Sequence, residues 1–173
     1  MIRTLEELSL NAWPALQTLL ADGWLLRFAN GYTRRANSVQ PLYAPAHTPL
    51  ADQIARCEAL YRAQGQPVIY KLTAASCPAG LDEALAARGY RRDAPTAVQT
   101  LRLTDTVAPE EDTAHLDTVR LGALHWEATP SDAWLAAFCR MGRVDPRHWP
   151  TLRQIVGHIL PPACFAALHV GGE

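Results

Sequence analysis

Apolar residues recur at helical spacing from the start of the chain: Leu5, Leu8 and Ala12, then Leu16, Leu19 and Leu20, with Thr4 and Glu7 at capping-box spacing. This predicts an opening helix that Pro14 breaks or restarts and that Asp22-Gly23 ends. The period then changes to two. Trp24, Leu26 and Phe28 alternate with Leu25, Arg27 and Ala29, and a second run, residues 32–40, follows Asn30-Gly31. That dipeptide suits a type I′ turn, whose two central residues need positive φ, so a β-hairpin about Asn30-Gly31 is expected. Three prolines mark residues 41–49 as a loop. Leu50, Ile54, Cys57 and Tyr61 then form one helical stripe that Gly65 closes. A short strand at 68–72, a loop with Pro78 and Gly80, a helix over 81–88 stopped by Gly89, and a strand near 96–103 complete this part.

The acidic stretch 104–112, with Pro109 inside it, reads as a linker. Beyond it a weak strand is expected at 116–124. Ser131 caps a helix bearing Trp134, Phe138 and Met141, and Asp145-Pro146 opens another bearing Trp149, Leu152, Ile155, Val156 and Ile159. Pro161-Pro162 ends that helix. A last strand, 164–170, offers Phe165, Ala167 and His169 on one side and Cys164, Ala166, Leu168 and Val170 on the other, so both faces are largely apolar. Such a strand needs neighbours on both edges, which implies docking on the first sheet or pairing with a second copy in a homodimer. The element order predicts an α/β (α+β) fold with a domain at 1–105, a linker at 106–112, and an unfinished second unit at 113–173.

Composition narrows the function classes. Of 173 residues 49% are hydrophobic, enough for one core or one and a half small ones, and the formal net charge is −1. Residues 1–105 carry a net +2 and residues 106–173 a net −3, so neither half is a charged arm, and nucleic acid and anionic membranes are not expected partners. Lys71 is the one lysine beside fifteen arginines. No apolar run reaches the roughly 18 residues of a membrane span, and the start carries Glu6 and Glu7 where a secretory signal would be apolar, so a cytoplasmic location is expected. Cys57, Cys77, Cys139 and Cys164 lie far apart, which predicts reduced thiols.

Four segments carry a resemblance: residues 22–28 (Asp-Gly-Trp-Leu-Leu-Arg-Phe), 31–42 with Arg34-Arg35-Ala36-Asn37-Ser38 inside, 61–72, and Gly80-Leu81-Asp82 through Gly89-Tyr90-Arg91. Together they resemble the N-terminal half of two-domain bacterial acetyltransferases of the GNAT superfamily. Residues 113–173 are similar to the opening elements of the second GNAT domain. The resemblance implies a mixed sheet flanked by helices, a degenerate first domain, acetyl-CoA as cosubstrate, and transfer of acetyl to an amine of a small molecule or peptide. It also implies a second domain that carries the cofactor loop and continues further.

GNAT enzymes hold the acetyl-CoA pyrophosphate with backbone N–H groups in an Arg/Gln-x-x-Gly-x-Gly/Ala turn before a helix. Here Arg62-Ala63-Gln64-Gly65-Gln66-Pro67 imitates the start of that pattern but reads as a helix C-cap. The loop in the equivalent place, residues 42–49, has no glycine and two prolines. Weak or absent acetyl-CoA binding is therefore expected, and this chain alone is expected to be inactive. A non-catalytic ligand-binding or protein-interaction module is the alternative.

Arg27, Arg35 and Asn37 are the candidate substrate-binding residues, because guanidinium forks and an amide recognise acidic or amide-bearing ligands directionally. Strand alternation places Arg35 and Asn37 on one face and Arg34 on the other. Exposed strand arginines, with Asn37 satisfying a loop, would produce the same pattern. Tyr32, Tyr43, Tyr61, Tyr70 and Tyr90 are the tyrosines among which GNAT chemistry would seek a proton donor. Tyr61 also lies on the core stripe. His47, His115, His125, His148, His158 and His169 have no metal-ligand spacing, and no metal is expected. Ser38, Ser76 and Ser131 lie outside any nucleophile elbow.

Overall fold

The computed structural model describes residues 1–101 and 121–170, with side chains from 124 to 168 in the second stretch. Helix α1 (Ile2–Ala12) stops before Trp13-Pro14, and Leu16, Leu19 and Leu20 do not extend it. They lie in or beside strand β1 (Gln17–Ala21), which turns through Asp22-Gly23 into β2 (Trp24–Phe28). Both turn residues have positive φ, +42° and +87°, as a type I′ turn requires. A Cβ on Gly23 would stand 2.8 Å from the Tyr43 carbonyl oxygen, so space as well as φ demands glycine there.

The tight hairpin is thus centred eight residues earlier than the sequence pattern suggests. Asn30-Gly31 does turn with positive φ, but Arg34–Ala36 form a 3₁₀ turn before strand β3 (Val39–Gln40) pairs antiparallel with β2. The predicted alternation of Arg34 against Arg35 and Asn37 therefore does not apply. The sheet order is β1-β2-β3. The strand expected at 68–72 is reduced to an isolated parallel bridge of Tyr70 with Val39 beside β3: Val39 N–H donates to the Ile69 carbonyl (2.8 Å) and Lys71 N–H to the Val39 carbonyl (3.0 Å).

Helix α2 (Leu50–Ala63) buries Ile54, Cys57 and Tyr61 against this sheet, with Leu50 packed beside them. Helix α3 (Leu81–Ala87) adds Leu81 and Leu85. Trp24, Leu26 and Val39 from the sheet complete a core lying wholly within residues 21–90. Helix α1 contributes no apolar residue to it. Its buried residue, Glu6, pairs with the Lys71 ammonium, which keeps that charge compensated.

Residues 91–101 carry no strand, so the expected strand at 96–103 is not formed over its described part, and Val98 and Leu101 are exposed. The linker and residues 116–120 of the weak strand lie outside the described residues. Strand β4 (Leu121–Glu127) pairs antiparallel with β5 (Phe165–Val170), Trp126 opposite Ala166 and Glu127 opposite Phe165. Between them lie α4 (Asp132–Met141), capped as expected by the Ser131 hydroxyl accepting from Trp134 N–H (3.2 Å), and α5 (Trp149–Gly157), entered through a 3₁₀ turn at Pro146–His148.

Leu135, Cys139, Leu152, Val156 and Phe165 form the second core. It is not separate from the first unit: Ile155 is fully buried with Ala29 and Ala36, while Trp13 and Tyr32 pack against both clusters. The architecture is mixed α and β, with five helices and two small sheets among the described residues.

Candidate functional site

The three predicted binding residues converge on the loop at 29–38. Arg27 is 2% exposed on the central strand. Its guanidinium donates to the carbonyls of Arg35 (2.7 Å), Trp13 and Leu10 (3.4 Å), tying α1 and the 3₁₀ turn to the sheet. Burial lowers its pKa to about 10, still well above neutrality. The Tyr61 hydroxyl closes this region by accepting from Arg27 N–H (3.2 Å) and donating to the Arg27 carbonyl (2.9 Å), and burial pushes that phenol up.

Asn37 is 4% exposed, and its amide knots the loop internally. Oδ1 accepts from Ala29 N–H (2.7 Å) and Gly31 N–H (3.1 Å), while Nδ2 donates to the Thr33 carbonyl (2.7 Å). Arg35 differs from both. It is exposed, with its guanidinium carbon 6.0 Å from the Trp13 ring centroid, at the edge of a cation–π contact. Arg34 pairs in the open with Asp93 (2.6 Å).

Two segments resemble anion cradles, and in both the amides are occupied. At Arg62–Gln66 the Gly65 N–H donates to the Arg62 carbonyl and the Gln66 N–H to the Tyr61 carbonyl, both 3.0 Å, with Gly65 at φ +64°. This is the helix C-cap expected from the sequence. In the loop before α2, the N–H groups of Ala46 (2.8 Å), His47 (3.0 Å) and Thr48 (2.8 Å) all donate to the Asp22 carboxylate. Those three bonds hold the Asp22 carboxyl far below the usual carboxylate range. The glycine-free loop does gather an anion, and the anion belongs to the β1–β2 turn. Sequence reasoning read Asp22 as a helix end and missed this role, which only its Asp-Gly turn signal could have suggested.

Near the contact between the two units, Tyr32 stacks on His148 (centroids 5.1 Å apart) and Asn30 Nδ2 donates to the Thr151 hydroxyl (3.2 Å). Burial raises the Tyr32 pKa. Among the other tyrosines, Tyr43 donates to Glu7 (2.7 Å) and Tyr90 to Glu58 (3.2 Å), so no single one is marked as a proton donor. Among the described residues no cluster of metal-ligating side chains occurs, no helix is long and apolar enough to cross a membrane, and the four cysteines are unpaired. Two of the cavities formed by the described residues bear on the site. One, about 410 Å³, is mostly apolar and lies between the α4–α5 pair and β5, with Arg153 on its lining. The other, about 610 Å³, is polar and lies where α2 and α3 end.

Residues 1–149 match the family model described as probable histone acetyltransferase Rv0428c C-terminal. The chain belongs to that family. It is also similar to the uncharacterized N-acetyltransferase YobR of Bacillus subtilis (strain 168), 29% identical over 168 residues, which cover 97% of this chain and 64% of the relative. A stretch of 53 residues, 31% of this chain, is 43% identical to 18% of the probable histone acetyltransferase Rv0428c of Mycobacterium tuberculosis (strain ATCC 25618 / H37Rv). The chain thus spans less than two thirds of the length of either relative. No solved structure matches. The family match takes in the first unit, α4 and the start of α5, so Arg27, Asn37 and Asp22 all lie inside it.

Proposed function

We propose that this chain is a member or fragment of an acetyl-CoA-dependent N-acetyltransferase of GNAT type, acting in the bacterial cytoplasm on an amine of a small molecule or peptide. The observation that carries the reading is the family match over residues 1–149, and the YobR similarity along nearly the whole chain supports it. In such a reaction the neutral amine attacks the thioester carbon, the C–S bond breaks, the thiolate takes a proton, and the amine's proton leaves to solvent. Arg35 is the proposed acceptor contact of the first unit, because its guanidinium is exposed beside Trp13. Arg27 and Asn37 position that loop through their internal hydrogen bonds.

The chain by itself is proposed to lack a working cofactor loop. Its two cradle-like segments already use their amides for a helix cap and for Asp22. The same observation favours, as a second reading, a non-catalytic ligand-binding or interaction module. Calorimetry with acetyl-CoA tests the cofactor claim: weak or no binding is expected, and a dissociation constant in the low micromolar range, about −8 kcal/mol, overturns it. A chimera joining this chain to the unmatched part of YobR tests the transferase claim by thiol release from acetyl-CoA over a panel of primary amines. Turnover supports the transferase. If YobR is active and the chimera, folded and binding acetyl-CoA, is not, the interaction module is favoured.

A further inference from the structure

The sheet β1-β2-β3 has two unlike faces. Trp24, Leu26 and Val39 form the apolar one, against α2 and α3. On the other, the pairing of Leu25 opposite Gln40 continues to Arg27 beside Ser38, whose carbonyl accepts from Arg27 N–H (3.2 Å). Arg27, Ser38 and Gln40 are all buried there, and Gln40 Nε2 donates to the Ser38 hydroxyl (2.7 Å). Lys71 reaches the same side, because Tyr70 before it packs on the core and successive side chains alternate. This covered face is therefore polar and carries two cations.

What covers it is α1. None of Ile2–Ala12 belongs to the three buried apolar clusters, and Ile2 and Leu8 stand exposed. Polar contacts hold the helix instead. The buried Glu6 carboxylate meets the Lys71 ammonium, Glu7 accepts from the Tyr43 hydroxyl (2.7 Å), and the Arg27 guanidinium donates to the carbonyls of Leu10 (3.4 Å) and Trp13. The helix thus offers this face a carboxylate and the carbonyl end of its dipole, which is what an anion would offer. Trp13 packs on both clusters of the second unit and marks the fixed end about which α1 would swing. The first core holds no α1 side chain, so the helix can leave it intact.

Charge decides the ligand class. Residues 17–21, 24–28, 38–40 and 68–72 contain no acid, so with Glu6 withdrawn Arg27 and Lys71 face no negative charge from the sheet itself. We propose that α1 is a lid closed over a binding site for a small dianion, a phosphate monoester or a dicarboxylate, with Arg27 and Lys71 as its cations and Ser38 and Gln40 as neutral partners. Glu6 and the Leu10 carbonyl fill the site while the lid is shut. The proposal does not rest on acetyl transfer.

The test compares the 173-residue chain with its Glu6→Gln and Lys71→Gln variants at low ionic strength, by amide hydrogen exchange and by calorimetric titration with inorganic phosphate and with succinate. In both variants the α1 amides should exchange about tenfold faster than in the parent, since loss of a charged contact is worth about that factor, while α2 amides stay unchanged. Glu6→Gln keeps both cations and raises the open fraction, so it should bind at least one probe about tenfold more tightly than the parent. Lys71→Gln is equally open but short of one cation, and should gain nothing. A gain for phosphate alone assigns a phosphate monoester, and a gain for succinate alone a dicarboxylate. The proposal is overturned if α1 exchange is unchanged, or if α2 accelerates with α1, which makes the helix integral to the core. It is equally overturned if Glu6→Gln binds neither probe more tightly, or if Lys71→Gln gains as much.

Discussion

Replacing Asn37 with alanine separates a loop-forming amide from a ligand-contacting one. The substitution deletes three hydrogen bonds: Ala29 N–H at 2.7 Å, Gly31 N–H at 3.1 Å and the Thr33 carbonyl at 2.7 Å. Ala29 N–H is fully buried and would be left without a partner, which costs on the order of 1–3 kcal/mol. Gly31 N–H and the Thr33 carbonyl are partly buried, so water recovers much of their bonding and each adds roughly 0.5–1 kcal/mol. The sum is about 3 kcal/mol, and for a chain of this length it corresponds to a fall in melting temperature of ~6–12 °C. Ala29 and Ala36 hold Ile155 from the second unit, so the loss should also loosen that contact. Thermal unfolding followed by circular dichroism, with urea unfolding to check that the slope is unchanged, measures the effect. An Asn37→Ala protein that melts within ~1 °C of the parent refutes the structural account and returns Asn37 to the substrate-binding role.

Ile155→Ala should cost about 2–5 kcal/mol, since the side chain is completely buried between Ala29 and Ala36, and a urea midpoint equal to the parent's would show that the two units do not pack as described. A chain cut after Leu101 keeps the whole first core, so it should retain a sharp melting transition; a broad one counts against an independent first domain. Asp22→Asn probes acid behaviour. The folded carboxyl lies below its ordinary value of 3.8, so the stability it contributes is present above that pH and is lost as pH falls. The parent should therefore exceed the variant at pH 7, with the gap closing below pH 3.8; a gap that persists in stronger acid contradicts the carboxylate–amide account. Leu124, Trp126 and Leu168 share an exposed face of the β4–β5 pair, and sedimentation across ~100-fold dilution should show self-association that Leu168→Asp abolishes, whereas a parent that is monomeric throughout excludes the homodimer.

Features decided by neighbours in sequence were readable from the chain. The stripe Leu50, Ile54, Cys57 and Tyr61 buries as its spacing implies, Gly65 and Gly89 adopt positive φ after their helices, and Ser131 caps α4. The first hairpin was not, for a definite reason. Asp22-Gly23 and Asn30-Gly31 both satisfy the type I′ requirement, and Leu16, Leu19 and Leu20 fit a helix face as well as a short strand. The pairing of β1 with β2 decides between them, and pairing is a property of the folded chain. Residues 96–101 fail in the opposite direction. They have strand-like composition, yet they pair with nothing among the described residues, and β propensity acts only through a neighbour.

The candidate site was legible as a place and not as a set of roles. Arg27, Arg35 and Asn37 do gather on one loop, but the side-chain donors of Arg27 and Asn37 meet backbone carbonyls, and Asn37 Oδ1 accepts two backbone N–H groups. Composition cannot separate an arginine that awaits a ligand from one that organises the main chain, because both need the same fork. Burial separates them: a guanidinium 2% exposed must already be satisfied, whereas the exposed Arg35 need not be.

The same reasoning explains why the loop before α2 is a poor place for a free anion even though its amides converge. Asp22 is tethered to the loop through the fold, so its carboxylate acts as an intramolecular ligand whose effective concentration is at least in the millimolar range. A free phosphate would have to break three N–H contacts and leave a carboxylate beside its own negative charge. Both terms oppose exchange. The chain thus keeps the local geometry of an anion cradle while filling it from within, and a single residue at the tip of the first hairpin decides between the two states.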